Sequence, residues 1–185
     1  MKKSILFALL AIFSIPVIST SVIAETSAEQ FFATLKSLCG EEFIGETIYP
    51  QDPNHDFANK ELVMTVSVCD KNQVKIPFRV GKDTSRTWIF TLSDKGLLFK
   101  HDHRYKDGTP HKITNYGGWA NKEGNALSQS FPADKETHLL VPEGKTNIWN
   151  VSYEPKTKVF TYFLTRHGKP RYKAKFKPIK SNVSK

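Results

Sequence analysis

Ten short segments of alternating apolar and polar residues run through most of this chain, at intervals of about ten to twelve residues. Alternation with period two sends successive side chains to opposite faces of a strand, so such a chain must bury one face of a sheet. The segments span residues 42–49, 60–69, 73–80, 86–93, 96–105, 112–117, 126–131, 147–154, 159–166 and 171–176. Turn chemistry falls between them, as in Gly81-Lys82-Asp83, Asp94-Lys95-Gly96, Asp107-Gly108, Glu123-Gly124 and His167-Gly168. No helical period alternates with the strands, which excludes a parallel βαβ sheet. An antiparallel meander of this size must close or stack, because open edges invite pairing with other chains. The expected fold is all-β, a closed or nearly closed barrel of eight to ten strands; a two-sheet sandwich is the alternative.

A single helix is expected, over residues 28–38. Phe31, Phe32, Leu35 and Leu38 keep one face apolar, Ser27 stands at the cap and Gln30 at the capping-box position. Gly40 stops the helix. Packed across one end, this helix would plug the barrel.

The ends of the chain bound its address. Residues 1–24 have the form of a secretory signal. Two lysines precede an apolar run from Ile5 to Ile18, shorter than a membrane span, and Val22-Ile23-Ala24 offers a cleavage site. Residues 25–180 would then form one domain, and residues 181–185 a basic tail. No other stretch is long and apolar enough to cross a bilayer. A periplasmic or secreted chain with two cysteines, Cys39 and Cys69, is expected to pair them. The formal net charge is +9, with the basic excess late in the chain. Export argues against a nucleic-acid partner, and the alternating Arg171, Lys173 and Lys175 read as the solvated face of a strand.

Half of the six histidines fall between Gly96 and Gly118. His101 and His103 share the parity of Leu97 and Phe99, so this strand carries histidines on its apolar face. The same alternation turns several polar residues inward: Arg86 with Trp88, Gln129 with Leu127 and Phe131, Tyr153 with Trp149, and Tyr162 with Leu164 and Arg166. Arginines and histidines among aromatic rings describe a pocket for a small amphipathic or anionic ligand, such as a carboxylate or lipid-like molecule. The candidate ligand-binding residues are Arg86, Trp88, His101, His103, Gln129, Trp149, Tyr162 and Arg166.

Two other readings stay open. His101 and His103 also have the spacing of metal ligands, for example to zinc, which would make the chain a metal-binding protein or a metal-dependent enzyme. A barrel with a filled interior would instead serve as an envelope protein-interaction module. Other catalytic signatures are absent: no GxSxG, no Gly-rich phosphate loop before a helix, and no acid pair in an inward register. The balance favours a protein that is not an enzyme and needs no cofactor.

The run Arg86-Thr87-Trp88, Leu98-Phe99-Lys100-His101-x-His103, Tyr116-Gly117-Gly118, Phe131-Pro132-Ala133-Asp134 and Tyr162-x-Leu164-x-Arg166 resembles a group of secreted bacterial proteins. Its layout, a helix followed by a meander and a late strand with Tyr162 and Arg166, is similar to lipocalins and fatty-acid-binding proteins, the calycin-like barrels. That resemblance implies an interior Tyr and Arg on a ligand carboxylate. Gly96, His101, His103, Asp107 and Gly117 are loosely similar to the cupin metal motif, which would imply the metal-dependent alternative.

Overall fold

The computed structural model describes residues 24–179. The leader expected over residues 1–24, Ala24 apart, and the tail over 181–185 lie outside the described residues.

Helix α1 (Ser27–Ser37) opens the fold. Its N-cap is Thr26, one residue earlier than expected. The Thr26 hydroxyl accepts from the Glu29 N–H (3.2 Å), and the Glu29 carboxylate accepts from the Thr26 N–H (2.7 Å). A carboxylate is the stronger partner at a helix N-terminus, so Thr26 and Glu29 make the capping box rather than Ser27 and Gln30. Phe31, Phe32 and Leu35 are buried, each contributing about 1.5–3 kcal/mol by burial.

Eleven strands follow: β1 (Glu42–Tyr49), β2 (Leu62–Thr65), β3 (Val68–Cys69), β4 (Gln73–Val80), β5 (Asp83–Ser93), β6 (Gly96–His103), β7 (Tyr116–Trp119), β8 (Ser128–Pro132), β9 (Ile148–Glu154), β10 (Val159–Arg166) and β11 (Lys169–Pro178). They form one antiparallel sheet in the order β7-β6-β5-β4-β2-β1-β11-β10-β9-β8, with β3 on β4 beside β2. The expected second strand breaks in two because Val66 turns its backbone to the helix end: Gly40 donates to Val66 O and Val66 donates to Glu41 O. The strand expected over 112–117 begins only at Tyr116. Residues 111–115 instead run beside β6 through single contacts, His111 N–H to His103 O and Asn115 N–H to His101 O.

The path is a nearly closed barrel. Its end strands, β7 and β8, meet at a seam. A side chain at Gly118 would overlap the Pro132 carbonyl oxygen, so only glycine allows this approach. A second helix, α2 (Lys135–Leu140), stitches the seam. It was not expected, and its capping residue Asp134 accepts from the Thr137 N–H. The buried Thr137 hydroxyl accepts from the Gly117 N–H (2.7 Å) and donates to Gly117 O (2.8 Å). Lys100 pairs with Asp134 across the same join (2.6 Å).

The core lines the inside of the barrel. Phe43, Leu62, Met64, Ile76, Phe90, Phe99, Phe131, Trp149, Phe160 and Phe176 are fully buried. Phe31 meets Phe90 edge to face at 6.4 Å, so α1 plugs the end where β5 finishes and β6 begins. The Cys39–Cys69 disulfide ties that helix end to β3 (Cα–Cα 6.2 Å). Closing a loop with a separation of 30 residues stabilises the fold by about 3 to 4 kcal/mol in the chain-entropy account. A disulfide fits an oxidising, extracytoplasmic location. No helix among the described residues is long and apolar enough to cross a membrane.

Candidate functional site

The end opposite α1 holds a cavity of about 330 Å³. Arg86 and Trp88 reach it from β5, His101 and His103 from β6, and Tyr162 and Leu164 from β10. Phe78 of β4, Tyr116 of β7 and Tyr172 of β11 complete the wall. The loop between β1 and β2 crosses the mouth with His55, Asp56 and Phe57, and the exposed Asp56 and Arg171 form its rim.

The floor is a stack of rings. Trp88 lies parallel to Tyr162 (4.8 Å between centroids, 7°) and to Phe78 (4.7 Å, 24°). Tyr172 stacks on His55 (5.3 Å, 10°) and meets Phe57 edge to face (5.2 Å). Such packing fixes ring positions before anything binds.

His101 is buried, and both its ring nitrogens are engaged. Its Nδ1 faces the Tyr116 carbonyl (3.1 Å), an oxygen that can only accept, so Nδ1 carries the proton. Nε2 then accepts from the Tyr162 hydroxyl (3.0 Å). Burial drives the His101 pKa down to about 3, against the Tyr116 carbonyl bond, which favours the charged form. Tyr162 is pushed well above the ordinary tyrosine value by burial. His101 is therefore a neutral, satisfied residue whose acceptor nitrogen is occupied.

His103 is half-buried and less constrained. Its Nε2 meets the Tyr116 hydroxyl (3.1 Å). Burial, and then the positive charge of Arg86 and of His111, bring its pKa down to about 4, with Asp102 and Asp83 opposing. Burial raises Tyr116 to about 12, so its hydroxyl keeps its proton. Among the described residues no group of three His, Cys, Asp or Glu side chains is placed to hold a metal ion.

Arg86 is the charged group of the cavity wall. Its Nη1 pairs with Asp83, three residues earlier on β5. Partial burial works against the Asp83 charge, but hydrogen bonds from Ser85 and the Arg86 guanidinium bring it down to about 2. The guanidinium also lies over the Phe57 ring at 5.2 Å. Asp83 takes one nitrogen of the fork; among the described residues no acceptor meets Nε or Nη2. Arg86 thus presents unclaimed donors beside aromatic walls.

The structure gathers five of the candidate residues at the cavity: Arg86, Trp88, His101, His103 and Tyr162. Three lie elsewhere. Gln129 is at the plugged end, where its amide donates to Ser27 Oγ (3.3 Å) beneath α1. Trp149 is buried behind the wall, packed on His101 (5.2 Å) and Tyr116 (6.0 Å). Arg166 lies beyond the cavity and donates from Nε to Asn147 Oδ1 (2.8 Å).

Arg166 keeps the parity of Leu164, because β10 pairs with β9 without a shift, and it lies beyond the cavity; a β-bulge instead displaces Arg171. Leu164 pairs with Tyr172 and Thr165 with Pro170, which leaves Arg171 unpaired in β11. An extra residue bends the bulged strand and re-aims its side chains. Arg171, expected on the solvated face, arrives at the rim instead. Leu127 is likewise exposed rather than inward, because β8 begins only at Ser128. Asp102 faces outward beneath the 111–115 segment and accepts from Arg104 (2.7 Å) and Thr114 (3.1 Å).

Phe78 and Tyr172 belong to alternating strands, so their inward direction was available from parity. His55, Asp56 and Phe57 sit in a loop without any period, and no sequence signal marks them. Compared with known proteins, the chain matches no family model and no curated protein.

Proposed function

We propose that this chain is an exported binding protein, on a lipocalin-like barrel, for a small anion with a flat apolar body, of which an aromatic monocarboxylate is the simplest example. The observation that carries this reading is Arg86, a guanidinium with unclaimed donors facing an aromatic cavity of about 330 Å³. That volume stands at the low end for ligand pockets, which favours a small compact ligand over a long chain. A carboxylate would accept two parallel N–H bonds from Nε and Nη2 while Asp83 keeps Nη1. Trp88, Phe57 and Tyr172 would bury the body of the ligand. Neutral His103 and the Tyr116 hydroxyl stand beside Arg86 as a second polar contact. The role proposed is binding.

Isothermal titration with a series of small aromatic and aliphatic carboxylates, each beside its uncharged amide, tests this. Aromatic carboxylates are expected to bind, with Arg86→Ala weakening them at least about tenfold and Arg86→Lys restoring only part. Amides binding as tightly as acids, or Arg86→Ala binding unchanged, would refute the role of Arg86.

A further inference from the structure

A second feature lies on the outside of the barrel. After Glu154 the chain contains no Asp or Glu, although it carries lysines and arginines through to Lys185. The fold gathers much of this charge on one face. Beyond the bulge, β11 alternates strictly: Tyr172, Ala174 and Phe176 are buried, and Lys173, Lys175 and Lys177 point outward. Among the described residues none of these three lysines makes a salt bridge.

The neighbouring strands add apolar surface between the cations. Register places Ile44 across from Lys177 and Phe163 across from Lys173. Lys173 Nζ lies over the Phe163 ring at 5.3 Å. Ile44, Ile48 and Val159 line an open groove of about 830 Å³ together with Lys175 and Lys177. Ile44 is 45% exposed. Two carboxylates border this groove, Glu46 opposite Lys175 and Glu154 at the β9–β10 turn.

We infer that the outer face of β10, β11 and β1 docks on an anionic lipid surface. Lysine suits this role, because its long stem lies along apolar surface while the ammonium reaches phosphate headgroups. A soluble polyanion would meet the charges but leave Ile44, Ile48 and Val159 in water, whereas the headgroup boundary of a bilayer covers both. The inference does not depend on the ligand of the cavity, since these side chains are on the opposite side of the sheet wall.

Vesicle co-sedimentation tests it, using exported, oxidised protein and two vesicle types, phosphatidylcholine alone and phosphatidylcholine with phosphatidylglycerol. Binding is expected to the anionic vesicles only, and to vanish as salt is raised towards about 1 M, where charges are screened within about 3 Å. The triple variant Lys173→Gln/Lys175→Gln/Lys177→Gln should lose roughly a hundredfold in affinity. Its circular dichroism and carboxylate titration should match the parent, separating loss of docking from loss of fold or of the cavity. Equal binding to neutral vesicles, retention by the triple variant, or capture by inorganic polyphosphate without any vesicle binding would overturn the inference.

Discussion

The two ends of the barrel are built from the same strands and differ in what fills them. Along β5, the inward residue near α1 is Phe90; two steps back it is Trp88, and two further Arg86. Along β6 the series runs Leu97, Phe99, His101, His103. At the first end, Phe31 of α1 enters and meets Phe90, while Phe90 and Phe131 flank Phe99. At the second, a loop carrying His55 and Phe57 covers only part of the mouth, and polar groups replace the apolar ones. One end is a plug and the other a vestibule. The difference teaches that function in this barrel depends on height along the strand as much as on which face a side chain takes.

Truncation measures that difference most directly. Phe31→Ala removes a fully buried ring from the plug and should cost about 3–5 kcal/mol in denaturant unfolding. Phe57→Ala, at the mouth, removes a half-buried ring and should cost less than about 2 kcal/mol, while weakening carboxylate binding. Equal destabilisation by the two would break the distinction between plug and vestibule.

The next effect in size belongs to the histidines of the vestibule. The native pKa values of His101 and His103, about 3 and about 4, lie below the ordinary 6.5. Between those values the unfolded chain binds protons that the native chain does not. Stability is therefore full above about pH 6.5 and falls as the pH drops towards 4. Denaturant midpoints between pH 7 and 5.5 isolate this slope, because most carboxylates titrate lower. The double variant His101→Gln/His103→Gln should flatten it, and an unchanged slope would refute the burial argument. Tyr162→Phe withdraws the donor to His101 Nε2 and leaves that nitrogen buried without a partner, at a cost of about 1–3 kcal/mol.

The barrel was legible because alternation in β4, β5, β6 and β10 is regular and the turn residues between the strands have fixed chemistry. The same regularity identified Arg86, Trp88, His101, His103 and Tyr162 as inward. Alternation carries no information about height, and this is why Gln129, inward on β8, turned out to sit under α1. It is also blind to depth, so Trp149 could not be told from a lining residue although it stands behind His101. Helix α2 is six residues long, too short to show a helical period, and its one signal was the capping Asp134. His55 and Phe57 owe their positions to the loop that crosses the mouth, a tertiary fact with no local pattern.

The bulge in β11 carries the finest test, because it brings Arg171 to the rim while Arg166, on the unshifted β10, lies beyond the cavity. Arg171 is the unpaired residue and stands exposed at the rim, whereas Arg166 is tied to Asn147 below the loop of β10 and β11. An exposed rim charge acts through a screened field, so Arg171→Ala should weaken carboxylate binding by about twofold to fivefold and lose that effect at high salt. Arg166→Ala should leave affinity unchanged and instead cost about 1 kcal/mol of stability through the lost bond to the buried Asn147 side chain. A reversed pair of results, with affinity following Arg166 and stability following Arg171, would mean that Arg166 reaches into the cavity, as its shared parity with Tyr162 and Leu164 predicts, and that Arg171 is not at the rim.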